Sequence, residues 1–148
     1  MSEARKKAFS LVELVIVLVI MGVIAAIAIP RMTKGAQGAD VTGTKSDLAV
    51  LRGAIELYAA EHDAYPTLAQ LPNALLKRTD KNGTINAAGN HGPYLSRVPA
   101  LKVGAKKGQT AFVAPTANPP IAEVAAAAWL YDATSGEMWA NDINNLGL

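Results

Sequence analysis

With 148 residues and no cysteine, the chain suits one modest domain held by packing, which excludes a small scaffold stapled by disulfides. The formal charge of +2 resides in residues 1–8, where Arg5, Lys6 and Lys7 face only Glu3; the remainder balances at eleven basic and eleven acidic residues. A basic balance confined to the N-terminal tail argues against a nucleic-acid-binding surface.

The first element follows at once. Phe9 to Ile29 is an apolar run without a cation. As a helix it reaches about 31 Å at 1.5 Å per residue, close to the roughly 30 Å hydrocarbon core of a bilayer. Three cations precede it, so the positive-inside rule keeps residues 1–8 in the cytoplasm and sends the C-terminal body outward. Glu13 breaks the pattern. A carboxylate at the centre of a membrane helix costs roughly 2.5–3.5 kcal/mol, less near the edge. No Lys or Arg lies between Lys7 and Arg31 to compensate it. A cut before Phe9 would create a compensating charge, an α-amino group protonated at neutral pH. Glu13 could meet that amine within its own helix or on a staggered neighbour. Its place in the first turns also suits a negative charge. Two plainer readings compete: an uncleaved signal anchor, which leaves Glu13 unexplained, and a secretory signal cut after Ala26-Ile27-Ala28, against which Glu13 and Pro30 argue.

The string from Lys6 through Ala8, Phe9, Ser10, Leu11, Val12 and Glu13 to Val17 resembles the leader of type IV pilins and type II secretion pseudopilins. The resemblance implies a prepilin peptidase cut between Ala8 and Phe9, N-methylation of Phe9, and Glu13 as the assembly carboxylate. The residue before the cut is usually Gly, and here it is Ala8. Gly22 and Pro30 also match family positions and mark where the helix can bend or unwind.

Beyond a glycine-dotted passage from Thr33 to Gly43, the residues Val41, Leu48, Leu51, Ile55 and Tyr58 recur at helical spacing and form one apolar face. Lys45, Arg52 and Glu56 point elsewhere, and Arg52 and Glu56 can pair one turn apart. The helix should stop by Asp63, because Pro66 biases Tyr65 towards extended backbone. Thr67 with Gln70 reads as a capping box opening a short helix, limited by Pro72. Asn82-Gly83 signals a turn, followed by a loop of small residues from Asn86 to Pro93. Tyr94–Val98 and Thr110–Ala114 are short apolar runs bounded by Gly and Pro. Ala128–Tyr131 and Glu137–Trp139 flank a turn with Gly136 free to take positive φ, an antiparallel hairpin. Glu56-Leu57-Tyr58, Tyr65-Pro66-Thr67 and the hairpin string Trp129-Leu130-Tyr131-Asp132 with Ser135-Gly136-Glu137 resemble major pseudopilins.

No catalytic constellation stands out. His62 and His91 read as surface histidines in turns, with no Cys or nucleophile-elbow Ser beside them. Lys102, Lys106 and Lys107 with Gly104 and Gly108 fail the GxxxxGK[ST] spacing and read as a solvated connection. Trp129, Tyr131 and Trp139 read as packing onto the helix rather than stacking on bases. The family resemblance also implies calcium in a C-terminal loop, whose oxygens would come here from Asp132, Asp142, Asn141 and Asn144. No Asp-x-Asp-x-Asp-Gly loop is present, and a hard cation wants about six to eight oxygens. These residues therefore read as exposed turn and tail, and no metal or other cofactor is expected, Asp132 and Asp142 being the candidate calcium ligands.

The expected fold is α+β and pilin-like, a long N-terminal helix packed on a small antiparallel sheet. Residues 1–8 form a cleaved leader, 9–62 the helix with 9–29 its membrane segment, and 63–148 a periplasmic head. The expected function is non-enzymatic: a subunit of an inner-membrane filament, most consistent with the major pseudopilin of a type II protein secretion system. Expected partners are identical subunits, prepilin peptidase/N-methyltransferase, an assembly platform, minor pseudopilins and membrane lipid. The alternatives are a pilin of a surface pilus for adhesion, twitching or DNA uptake, and a membrane-anchored binding module that does not polymerise.

Overall fold

The computed structural model describes residues 9–124 and 127–147, with the backbone alone at 29–33. One helix, α1, runs over Leu11–His62. Contacts divide the chain into a unit ending at Gly38 and a second unit beginning at Ala39. In the first unit α1 is continuous, Gly22 and Pro30 included. Its start lies two residues inside the expected boundary, because Ser10 caps it. The Ser10 carbonyl accepts from the Leu14 N–H at 3.3 Å, and Ser10 Oγ accepts from the Val12 N–H at 3.3 Å.

The second unit is an α+β head built on the C-terminal part of α1. The apolar face read from the sequence is the face that is buried: Leu48, Leu51, Ile55 and Tyr58 lie in the core, with Val41 packed at its edge. Arg52 turns away from that core and donates through Nε and Nη2 to the Met138 carbonyl, at 3.1 and 2.6 Å, fastening α1 to the hairpin. The helix ends where expected. Asp63 takes a left-handed conformation at φ 59°, and Lys81 Nζ donates to the Glu61 carbonyl at 2.8 Å and to Asp63 Oδ2 at 2.5 Å.

Half of the expected capping box forms after Pro66. Gln70 Oε1 accepts from the Thr67 N–H at 2.7 Å, but turns fill residues 68–72 and the helix α2 covers only Asn73–Leu76. The Asn82-Gly83 turn is present, with Gly83 at φ 75° and its N–H on the Asp80 carbonyl at 2.8 Å.

The sheet has three strands, β1 (Phe112–Val113), β2 (Trp129–Tyr131) and β3 (Met138–Ala140), in the order β1-β2-β3. β2 and β3 form the expected antiparallel hairpin, in the register Trp129↔Ala140, Leu130↔Trp139 and Tyr131↔Met138. β1 pairs with β2 in parallel, so the sheet is mixed rather than antiparallel. A parallel partner needs a crossover, which the connection between residues 113 and 129 supplies. Tyr94–Val98 forms no strand. Flanked by Pro93 and Pro99, it instead sends the Tyr94 and Leu95 N–H groups to the Leu75 carbonyl, both at 2.9 Å.

The two faces of the hairpin separate the aromatic residues. Trp129, Tyr131, Met138 and Ala140 join the core that contains the α1 face. Trp139 does not: paired with Leu130, it takes the opposite face by strand alternation, which corrects its expected packing onto the helix. The two polar handles of the core aromatics are satisfied. Trp129 Nε1 donates to the Pro99 carbonyl at 3.0 Å, and Tyr131 OH donates to the Pro66 carbonyl at 2.7 Å.

Candidate functional site

The N-terminal unit carries the features from which assembly was read. Every large apolar side chain from Leu11 to Ile27 is at least 49% exposed, so this stretch meets no core of its own. Leu11–Ala28 is long and apolar enough to cross a membrane. Phe9 is 80% exposed at the head of this surface. Ala8 and the rest of the leader lie outside the described residues.

Glu13 is held rather than loose. Its Oε2 accepts the Ser10 backbone N–H at 3.0 Å, which with the Ser10 hydroxyl on the Val12 N–H makes a reciprocal capping arrangement. Sequence reasoning missed this role. The signal was the Ser-x-x-Glu spacing of Ser10 and Glu13 immediately before an apolar run. The cap places the carboxylate in the first helical turn, four residues from Phe9, where the helix dipole favours negative charge.

In the head, His62 is not a surface turn residue. It sits in the last turn of α1, buried, its ring stacked on Tyr58 at 3.9 Å between centroids. Nδ1 lies 2.9 Å from the Tyr58 carbonyl, which can only accept, so Nδ1 carries a proton; Nε2 lies 2.9 Å from the Thr79 hydroxyl. The overlooked signal was spacing: His62 continues the Leu51, Ile55, Tyr58 stripe by four residues. His91 lies beside it, 4.9 Å between ring centroids, with Nδ1 3.4 Å from Glu61 Oε2. Tyr94 OH donates to the same carboxylate oxygen at 2.5 Å. That bond, ahead of the neighbouring histidines, holds the Glu61 pKa below the ordinary glutamate range, while burial followed by the Glu61 contact pushes the Tyr94 hydroxyl up. Both ring nitrogens of His62 are engaged by groups of the fold.

The three lysines of the 101–109 connection are each engaged rather than freely solvated. Lys102 meets Asp47, Lys106 meets Glu123 and Lys107 meets Asp40, each at 2.5 Å. This arrangement ties the connection to α1 and to the C-terminal segment, and it offers no phosphate cradle.

The candidate calcium residues do not converge. Asp132 follows β2 at the turn end of the hairpin, whereas Asn141, Asp142 and Asn144 follow β3 at the open end. Asn141 and Asp142 are also buried, at 1% and 5% exposure, which corrects their reading as exposed tail. Asp132 is bonded to the Thr134 N–H at 2.8 Å and to Asn118 Nδ2 at 2.8 Å; Asp142 accepts from the Asn145 amide. Among the described residues no group of three or more His, Cys, Asp or Glu side chains is placed to hold a metal ion. The donor set thus does not fit a resident calcium.

An exposed apolar helix with one capped carboxylate at its start, leading into a small α+β head, defines a pilin-like subunit. The comparisons with known proteins make the assignment specific. Residues 4–29 match the family described as the prokaryotic N-terminal methylation motif, and residues 31–104 match type II secretion system (T2SS), protein G. Proteins named type II secretion system core protein G are similar to it in Pseudomonas aeruginosa (30% identical, 67% of this chain and 69% of the relative), Klebsiella pneumoniae (36%, 49% and 51%) and Vibrio cholerae (29%, 67% and 67%). The chain therefore spans about two thirds of the Pseudomonas and Vibrio proteins and about half of the Klebsiella protein. No solved structure gives a significant match. The chain belongs to the type II secretion system protein G family, the major pseudopilins.

Proposed function

We propose that this pseudopilin is made as an inner-membrane precursor and polymerises into the short periplasmic filament of a type II secretion system, helping to drive folded proteins outward. In this reading prepilin peptidase cuts between Ala8 and Phe9 and the new Phe9 nitrogen is methylated. The leader lies in the cytoplasm and the head in the periplasm. Partners are further copies of the chain, the inner-membrane assembly platform, minor pseudopilins, and lipid before assembly. The subunit itself does no chemistry.

The observation that carries the proposal is the exposed apolar surface of Leu11–Ala28 with Glu13 as its lone acidic group. Lipid satisfies such a surface while the chain waits, and the equivalent surface of other copies satisfies it in a filament. Head-to-tail repetition of one surface on another yields an open helical polymer instead of a closed ring. Glu13 fixes the stagger. In the uncut chain its carboxylate rests on the Ser10 N–H; after cleavage a neighbour's Phe9 amine supplies the full positive charge that a carboxylate in an apolar environment requires. Gly22 and Pro30 provide points where the packed helix can bend.

Glu13→Ala tests the mechanism. The variant should be cleaved and methylated as the parent is, with periplasmic filaments, trapped by cross-linking neighbouring subunits, reduced at least about tenfold. Normal filament yield from Glu13→Ala would exclude Glu13 as the assembly carboxylate.

A further inference from the structure

Both ends of the C-terminal hairpin converge on a nitrogen of the chain itself. At the open end, Lys106 Nζ lies 2.5 Å from Glu123 Oε2 and 3.2 Å from the Asn141 carbonyl oxygen, with its side chain only 12% exposed. The other oxygen of Glu123 accepts the Ile143 N–H at 2.6 Å. Asn141 then clamps the preceding segment, donating to the Val124 and Ala127 carbonyls at 2.6 and 2.7 Å and accepting from the Val124 N–H at 2.9 Å. One ammonium thereby joins the 101–109 connection, the segment before β2 and the tail after β3.

At the turn end, Asn118 Nδ2 is shared by Asp132 Oδ2 at 2.8 Å, Glu137 Oε2 at 2.8 Å and Ser135 Oγ at 3.2 Å. Two carboxylates held around one point repel each other unless a positive or hydrogen-donating group stands between them. Carboxylate, hydroxyl and main-chain carbonyl oxygens are the ligands a hard divalent cation takes. Here those oxygens are already spoken for by groups that a chelator cannot remove.

We propose that Lys106 and Asn118 take the place of a divalent cation in this head, so that the C-terminal hairpin is closed without calcium. Lys106 brings a full charge into a nearly buried position, so it carries most of the effect. Asn118 is neutral and exposed, and contributes less. The inference concerns the stability of the head and holds whether or not the chain polymerises.

The test is thermal unfolding of the whole mature protein in detergent, followed in excess EDTA and in excess calcium chloride. The parent should melt at the same temperature in both. Lys106→Met should melt roughly 4–8 °C lower in both, the scale for losing one charge-assisted contact in a small domain. Lys106→Arg, which keeps the charge, should recover most of that loss, and Asn118→Ala should fall by less than Lys106→Met. A parent that melts lower in EDTA and is restored by calcium would overturn the proposal without reference to any variant. So would a Lys106→Met protein that melts with the parent.

Discussion

Gly136 shows how a single position fixes the hairpin. It sits at φ 75° with its N–H on the Asp132 carbonyl at 2.8 Å, and a Cβ there would run into the Tyr65 ring. Left-handed backbone costs a residue with a Cβ about 1–2 kcal/mol, and the Tyr65 contact adds to it. Gly136→Ala should therefore lower the unfolding free energy by at least about 1–2 kcal/mol, read as a fall in the urea midpoint. An unchanged midpoint would contradict the left-handed conformation assigned to Gly136. The glycine was legible in the sequence because turn chemistry is local; Tyr65 beneath it was not, since the contact spans most of the head. His62 was legible in part, since it continues the apolar stripe of α1, but its hydrogen bonds were not. Its two partners, the Tyr58 carbonyl and Thr79 hydroxyl, come together only after the 77–91 segment has folded back against the helix end. Residue identity alone suggested a solvated ring.

The helix and the hairpin were the most legible elements, each written in a period that sequence displays directly. In α1 the spacing of Leu48, Leu51, Ile55 and Tyr58 predicted the buried face, and all four are buried. Truncating that face should be severe. Leu51→Ala, at 0% exposure, should cost about 2–5 kcal/mol, a large part of the roughly 5–15 kcal/mol that stabilises a domain. Val50→Ala, one residue away but 52% exposed, should change stability by less than about 0.5 kcal/mol. Comparable losses from both would contradict the assigned face. The strand β1 lies inside the apolar run Thr110–Ala114, but its parallel pairing was not legible. Its two residues, Phe112 and Val113, are too few for a period, and the direction in which they pair is set by the crossover rather than by their own side chains. The same limit explains Tyr94–Val98, an apolar run whose backbone is committed to α2. The Ser10–Glu13 cap, by contrast, was present as a motif and was overlooked because Glu13 was read for its charge alone.

For the whole molecule, the folded head should respond to acid in one direction. Glu61, Asp63, Glu123 and Asp132 are all held below their ordinary pKa values, chiefly by Tyr94, by Lys81, by Lys106 and by the Thr134 N–H respectively. Groups whose folded pKa is depressed contribute stability above their unfolded values, and that contribution is lost as pH falls through the folded ones. The melting temperature should thus stay level on these groups' account from neutral pH down to about pH 4–5, then decline. A rise in stability below that range would contradict the assigned partners. The head supplies a folded α+β body, and the N-terminal helix supplies an exposed apolar surface. The central claim, that the chain becomes a filament subunit through a cut that creates Glu13's partner, is tested most directly by the intact mass and N-terminal sequence of the protein taken from its native membrane. The account predicts a chain that begins with N-methylated Phe9. A chain beginning at Ile29, or one that retains Met1 or Ser2 beside an active prepilin peptidase, would contradict it.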